Sequence, residues 1–154
     1  MPTDTTLASV TVGTTTWAPV GMVAAADNLA ASAGVAALQA GGTAVDAAVA
    51  AGAVLAVTNQ HQCGLGGDLF ALVHRPGQPV AALCAAGCAG SGADAAGPRR
   101  EGLDRLPLRG DVRAVTVPGC VDGWTELHGR FGRLPLARVL ESATAYADGG
   151  FPAS

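Results

Sequence analysis

The run Gly64-Leu65-Gly66-Gly67-Asp68 is the first place to look for chemistry, because backbone amides without side chains can approach a phosphate or an oxyanion closely. A nucleotide loop, however, needs GxGxxG, or GxxxxGK followed by Ser or Thr, running from a strand into a helix. Here the glycines run from a helix into a strand, so the pattern reads as a tight turn into that strand rather than a phosphate cradle. His61, His74 and His128 are far apart, and no Ser or Cys motif marks a nucleophile beside any of them, so packing or surface roles are expected. Asp68 and Asp122 each sit beside a glycine near an element boundary, where a carboxylate caps backbone amides. Cys63, Cys84, Cys88 and Cys120 match neither paired CxxC zinc knuckles nor a dense disulfide framework, and read as reduced thiols. His61 and Cys63 supply two ligands where zinc usually takes four, so no metal is expected.

The elements that must position these residues are well punctuated. Residues 1–20, rich in Thr and Pro, read as a loose amino-terminal arm, and residues 21–154 as the organised region. Met22–Ala26 predicts a short strand ending at Asp27-Asn28, where a helix cap begins. Leu29, Ala33, Ala36, Ala37 and Leu38 then form a stripe at helical spacing, closed by Gly41-Gly42 with a left-handed stop. Thr43 and Asp46 make a capping-box-like start for a second helix through Val57. That helix has no polar face beyond Asp46 and must be surrounded by other layers. Leu69–Val73 and Val80–Leu83 flank Pro76-Gly77 as a strand, turn and strand. Residues 84–110 predict irregular chain with one short helix, and Val112–Val117 a further strand. A helix follows Pro118-Gly119 with Val121, Trp124, Leu127 and Phe131 on one face. A last helix carries Leu136, Val139, Leu140, Ala143 and Ala147 up to Gly149-Gly150.

Composition narrows the function classes. Of the residues, 49% are hydrophobic but only 4% aromatic, so the core rests on small side chains and close backbone approach. Nine basic against twelve acidic residues give a net charge of −3, no footprint for nucleic acid. The arginines from Arg99 to Arg113 are interrupted by Glu101, Asp104 and Asp111 and read as a solvated loop. The apolar stretch Ala44–Val57 is shorter than the ~18 residues of a membrane span. The first twenty residues lack a basic start and an apolar signal core, which places the chain in the cytoplasm.

The order of segments then carries a resemblance. GMVAAADNLAASAGVAALQAGGTAVDAAVAAGAVLAV, GLGGDLFALV, VPGCVDGW and FGRLPLARVLESATAYADGGFPAS, in that order from Gly21 to Ser154, resemble the amino-terminal part of the γ-glutamyltranspeptidases, closest to the γ-glutamyltranspeptidase-like branch. The resemblance implies an α+β chain, the amino-terminal portion of an N-terminal nucleophile hydrolase αββα sandwich in which helical layers enclose two antiparallel sheets. It implies a precursor that cuts itself, after which the new amino-terminal threonine attacks the γ-glutamyl amide of a glutathione-type substrate with its own α-amino group as base. Water or another amine takes the acyl group, and no cofactor or metal is needed.

Two departures follow from the resemblance. The family's Thr-Thr-His segment lies beyond position 154, and Thr14-Thr15-Thr16, followed by Trp17, is no substitute, so this chain holds no catalytic residue. The family's arginine, which grips the substrate α-carboxylate just after the second strand, is also missing: by register Cys88 or Ala86 stands in its place. The expectation is an amino-terminal fragment that needs a carboxy-terminal catalytic portion as its partner. The alternative is a noncatalytic relative serving as a binding or assembly module.

Overall fold

The computed structural model describes residues 17–107 and 109–152. The amino-terminal arm up to Thr16, with Thr14–Thr16 in it, lies outside the described residues. Among the described residues the fold has six α-helices and one β-hairpin: α1 (Asn28–Gln39), α2 (Ala44–Thr58), β1 (Leu69–Val73), β2 (Ala81–Ala85), α3 (Ala96–Arg100), α4 (Cys120–Phe131), α5 (Leu136–Val139) and α6 (Glu141–Gly149).

Helix α2 is the hub because its sequence leaves it no choice. Val45, Ala47, Val49, Ala50, Ala51, Ala53 and Val54 are all buried, and α1, α4, α5 and α6 pack around them. Alanines at these positions let neighbouring backbones come close, as the composition requires. The termini are built as the sequence predicts. Asp27 accepts the Leu29 amide at 2.6 Å to start α1, and Gly41 closes the turn after it at φ +85°. Thr43 and Asp46 form a complete capping box on α2.

The hairpin is antiparallel, with Leu69 opposite Ala85, Ala71 opposite Leu83 and Val73 opposite Ala81. Period-2 alternation splits it into two faces. Leu69, Ala71, Val73 and Leu83 pack toward the helical core, and Leu69 and Ala85 sit directly on Gly123 of α4, leaving no room for a β-carbon there. On the other face Phe70 and Leu72 are 68% and 78% exposed. The described residues therefore hold one helical layer and one sheet layer, an α+β arrangement, with the sheet's outer face bare.

Three expectations change in detail. Met22–Ala26 has no partner strand among the described residues and runs as an unpaired segment along α1, with Val23 seated on Gly34. Val112–Val117 is not a strand: Asp111 accepts the Arg113 amide at 2.9 Å and holds Val112–Ala114 in a 3-10 turn. A local side chain to backbone bond thus wins over sheet pairing. The last helix is interrupted at Leu140, whose ψ of −4° tightens the chain between α5 and α6 and lets Val139 and Ala143 both reach the core. On α4, Val121 lies off the buried stripe and Cys120 and Gly123 join it. No helix of the described residues is long and apolar enough to cross a membrane.

Candidate functional site

Two loop crossings near the start of α4 gather most of the residues singled out from sequence. The first is the glycine run. The Gly67 carbonyl accepts the amides of both Gly119 and Cys120, at 3.3 and 3.0 Å, while its own amide donates to Gly64. The loop therefore spends its central carbonyl on the first turn of α4, where free amides need acceptors. This is the structural role expected of the glycines: a tight turn from α2 into β1, pinned to a neighbouring helix. Gly119 supplies no capping side chain, and Asp122 stands in the first turn of α4, where its charge meets the positive end of the helix. Asp68 is exposed just before β1.

The second crossing holds Ala86 and Cys88, the two positions that the resemblance sets against the family's arginine. Beyond β2 the chain passes over residues 116–119 with backbone against backbone. The Val117 amide donates to the Cys88 carbonyl at 2.9 Å, and the Thr116 hydroxyl donates to the Ala86 carbonyl at 3.2 Å. Gly87 adopts φ +76°, and a β-carbon on it would stand 1.9 Å from the Val117 carbonyl oxygen. No other residue type fits that point. Ala86 is half-buried and Cys88 exposed, so either side chain flanks an obligatory glycine on a firmly held loop.

Immediately after Cys88 the chain lines a hollow of about 730 Å³, with Ala89, Gly92, Leu103, Leu106 and Val115 among its walls. Arg113 also borders it, but its guanidinium is committed: Asp111 and Glu101 both accept from it, at 2.7 and 2.9 Å, and together hold its charge on more firmly than usual. A bidentate cation already satisfied by two carboxylates is poorly placed to take a third. Apolar side chains share the wall of this hollow with Asp94, Arg99, Asp104 and Arg105.

The three histidines stay apart. His61 and His74 are exposed. His128 places Nε2 2.7 Å from the Leu134 carbonyl, which can only accept, so that nitrogen carries a proton. Beside it lies the polar node that spacing alone reveals only in part. Asp46 is fully buried and accepts the Thr43 amide at 2.7 Å and the Arg133 amide at 3.0 Å. Thr43 in turn donates its hydroxyl to the Phe131 carbonyl at 2.9 Å. One carboxylate therefore caps α2 and fastens the α4–α5 connection to it.

Comparison with known proteins supplies the last observation. The family model described as gamma-glutamyltranspeptidase matches residues 30–154. A glutathione hydrolase-like YwrD proenzyme of Bacillus subtilis is 45% identical over 134 residues, covering 86% of this chain and 25% of the relative. An oxamate amidohydrolase proenzyme of Klebsiella pneumoniae is 43% identical over 140 residues, covering 86% and 26%. The Helicobacter pylori gamma-glutamyltranspeptidase structure superposes with a TM-score of 0.80 at 29% identity, over 90% of this chain and 40% of that one. The chain spans about a quarter of the length of the curated relatives it matches. Its helical layer and hairpin are those of an N-terminal nucleophile hydrolase, and the chain belongs to the γ-glutamyltranspeptidase family.

Proposed function

We propose that this chain is the amino-terminal scaffold of a γ-glutamyltransferase-like amidohydrolase, inert by itself because the attacking threonine is supplied by a carboxy-terminal portion. The observation that carries the reading is the bare outer face of the hairpin. Phe70 and Leu72 stand in the open on a sheet whose other side is already packed, the surface a second sheet would cover in a sandwich. Coverage of a quarter of the relatives' length supports the same conclusion.

The substrate-side loop supports a shifted preference within that chemistry. Only glycine fits at Gly87, which supports the register in which Cys88, rather than Ala86, would stand where the resemblance puts the family's carboxylate-gripping arginine. A neutral thiol there leaves a carboxylate gripped at that point without its usual guanidinium, while Arg99 and Arg105 on the wall of the neighbouring hollow are the cations left to meet a charged acyl donor. A relative named for oxamate shows that amides other than those of glutathione are used by similar proteins.

A γ-glutamyl anilide assay tests the scaffold reading. The purified chain alone is expected to release no aniline, and mixing or co-expressing it with the carboxy-terminal portion of a relative such as the Bacillus subtilis protein is expected to start turnover. Turnover by the chain without a companion overturns the proposal. A folded mixed complex that stays inert toward both γ-glutamyl and simple acyl anilides turns the reading toward a noncatalytic relative.

A further inference from the structure

Residues 22–26 carry the burial pattern of a strand. Val23 and Ala25 pack onto the helical core, Val23 against Gly34 of α1, while Met22, Ala24 and Ala26 are exposed. Yet no main-chain hydrogen bond joins residues 22–26 to another described residue. Water satisfies these amides and carbonyls while they stand open, but a layer laid over them without donors and acceptors of its own would leave them stranded.

Beside the segment lies a hollow of about 660 Å³, lined by Met22 and Ala24 and, from α2, by Ala44, Ala48, Gly52 and Leu55. The α2 residues follow at intervals of a helical turn and form one stripe, and three of the four have no side chain larger than a methyl group. None of the side chains lining the hollow is polar, so the hydrogen-bonding groups it offers are main-chain groups. Those of α2 are spent inside the helix, which leaves those of the extended segment.

We infer that residues 22–26 are a sheet strand awaiting its neighbour, and that the neighbour is an extended strand of the carboxy-terminal portion, hydrogen-bonded along this segment and laid into the hollow beside α2. The inference rests on the scaffold reading above and adds a second contact to it, separate from the outer face of the hairpin. A strand fits where a helix does not: a helix has consumed its own amides and carbonyls, whereas an extended chain presents both at the spacing the segment needs. The small side chains of α2 let the incoming backbone approach closely and favour small or aliphatic residues at every second position of it. The chain accounts for about a quarter of its curated relatives, which leaves most of each relative to furnish that strand. A second copy of this chain, paired edge to edge, would still leave Phe70 and Leu72 bare; one partner that brings a sheet covers both surfaces.

Hydrogen exchange read by mass spectrometry tests this, on the unsubstituted chain alone and in complex with the carboxy-terminal portion of the Bacillus subtilis relative. The amides of residues 22–26 are expected to exchange freely in the chain alone and to slow by roughly 100-fold in the complex. Ala48→Arg, at an exposed position of α2, is expected to leave the far-ultraviolet dichroism of the isolated chain unchanged and to weaken the complex by about tenfold or more, because it fills the hollow. A complex that forms and loses apolar-dye binding while residues 22–26 still exchange freely overturns the inference and leaves the scaffold reading standing. Undiminished affinity of Ala48→Arg does the same. Slow exchange of residues 22–26 in the isolated chain means that residues 1–16 or a second copy already occupy the edge, and also overturns it. Failure to form any complex removes the scaffold reading and this inference together.

Discussion

Asp46 shows how much one side chain carries in a chain with few large ones. Its carboxyl group is wholly enclosed, yet the Thr43 amide of its own cap and the Arg133 amide from the α4–α5 connection donate to it, so its oxygens are satisfied where they stand. Asp46→Ala leaves the Thr43 and Arg133 amides without an acceptor and is expected to cost about 3 kcal/mol, read as a lower urea midpoint of the encoded protein. Asp46→Asn keeps one acceptor oxygen and should recover part of that loss; equal midpoints for the two variants would contradict this account. Asp27 behaves differently because it is only half-buried. The Thr58 hydroxyl, and after it the Leu29 and Ala30 amides, hold its carboxyl below the ordinary value of 3.8. A depressed folded value means that the contribution is complete above pH 3.8 and is lost as pH falls through the lowered folded value. Amide exchange at Leu29 and Ala30 should therefore accelerate on acidification below that point, and Asp27→Asn should flatten the dependence.

At the level of elements, glycine conformations separate two kinds of turn. Gly41 and Gly87 both have positive φ, but a β-carbon on Gly41 meets nothing within 4 Å whereas one on Gly87 collides with the Val117 carbonyl. Gly41→Ala is expected to cost about 1 kcal/mol, the price of the left-handed conformation alone. Gly87→Ala must also break the backbone crossing that holds Cys88 in place, and is expected to cost more than about 3 kcal/mol and to lower yield. Chemical denaturation of the two variants side by side checks the difference. The same contrast explains what could be read from sequence. Local signals were legible: the Thr43–Asp46 box, the glycine stop after α1, the alternation of Leu69–Val73 and the all-apolar α2 all depend on residues within a turn of one another. Contacts between distant segments were not. Nothing in T-x-x-D spacing announces that Asp46 also binds an amide 87 residues away, and the alternation in Val112–Val117 does not reveal that Asp111 captures the chain first. The candidate site sits between these cases. The neutral residues after β2 are visible in the sequence, while the collision that a β-carbon on Gly87 would make with the Val117 carbonyl is not.

For the molecule as a whole, the balance of covered and bare surface decides how it behaves alone. Helix α2 is enclosed on most sides, so the described residues contain a true core of Val49, Val54, Trp124, Leu127 and Val139. The hairpin is a layer covered once: Phe70 and Leu72 face solvent, and Leu65, Val112, Val115 and Val117 add further apolar surface on the loops near α4. Two strands joined to a helical layer gain little cooperativity when half of their side chains pack against nothing. The isolated chain is therefore expected to keep helical far-ultraviolet dichroism, to bind an apolar dye such as ANS, and to melt over a broad range. Adding a carboxy-terminal portion that brings the second sheet should displace the dye and sharpen the transition, because burying the outer face couples the hairpin to a partner layer. The decisive comparison is between Phe70→Ser/Leu72→Ser and the unsubstituted chain. If the outer face is a docking layer, the double variant loses most dye binding when alone and fails to form a sharply melting complex. A chain that melts sharply by itself, without dye, would show that these 154 residues already complete their own fold.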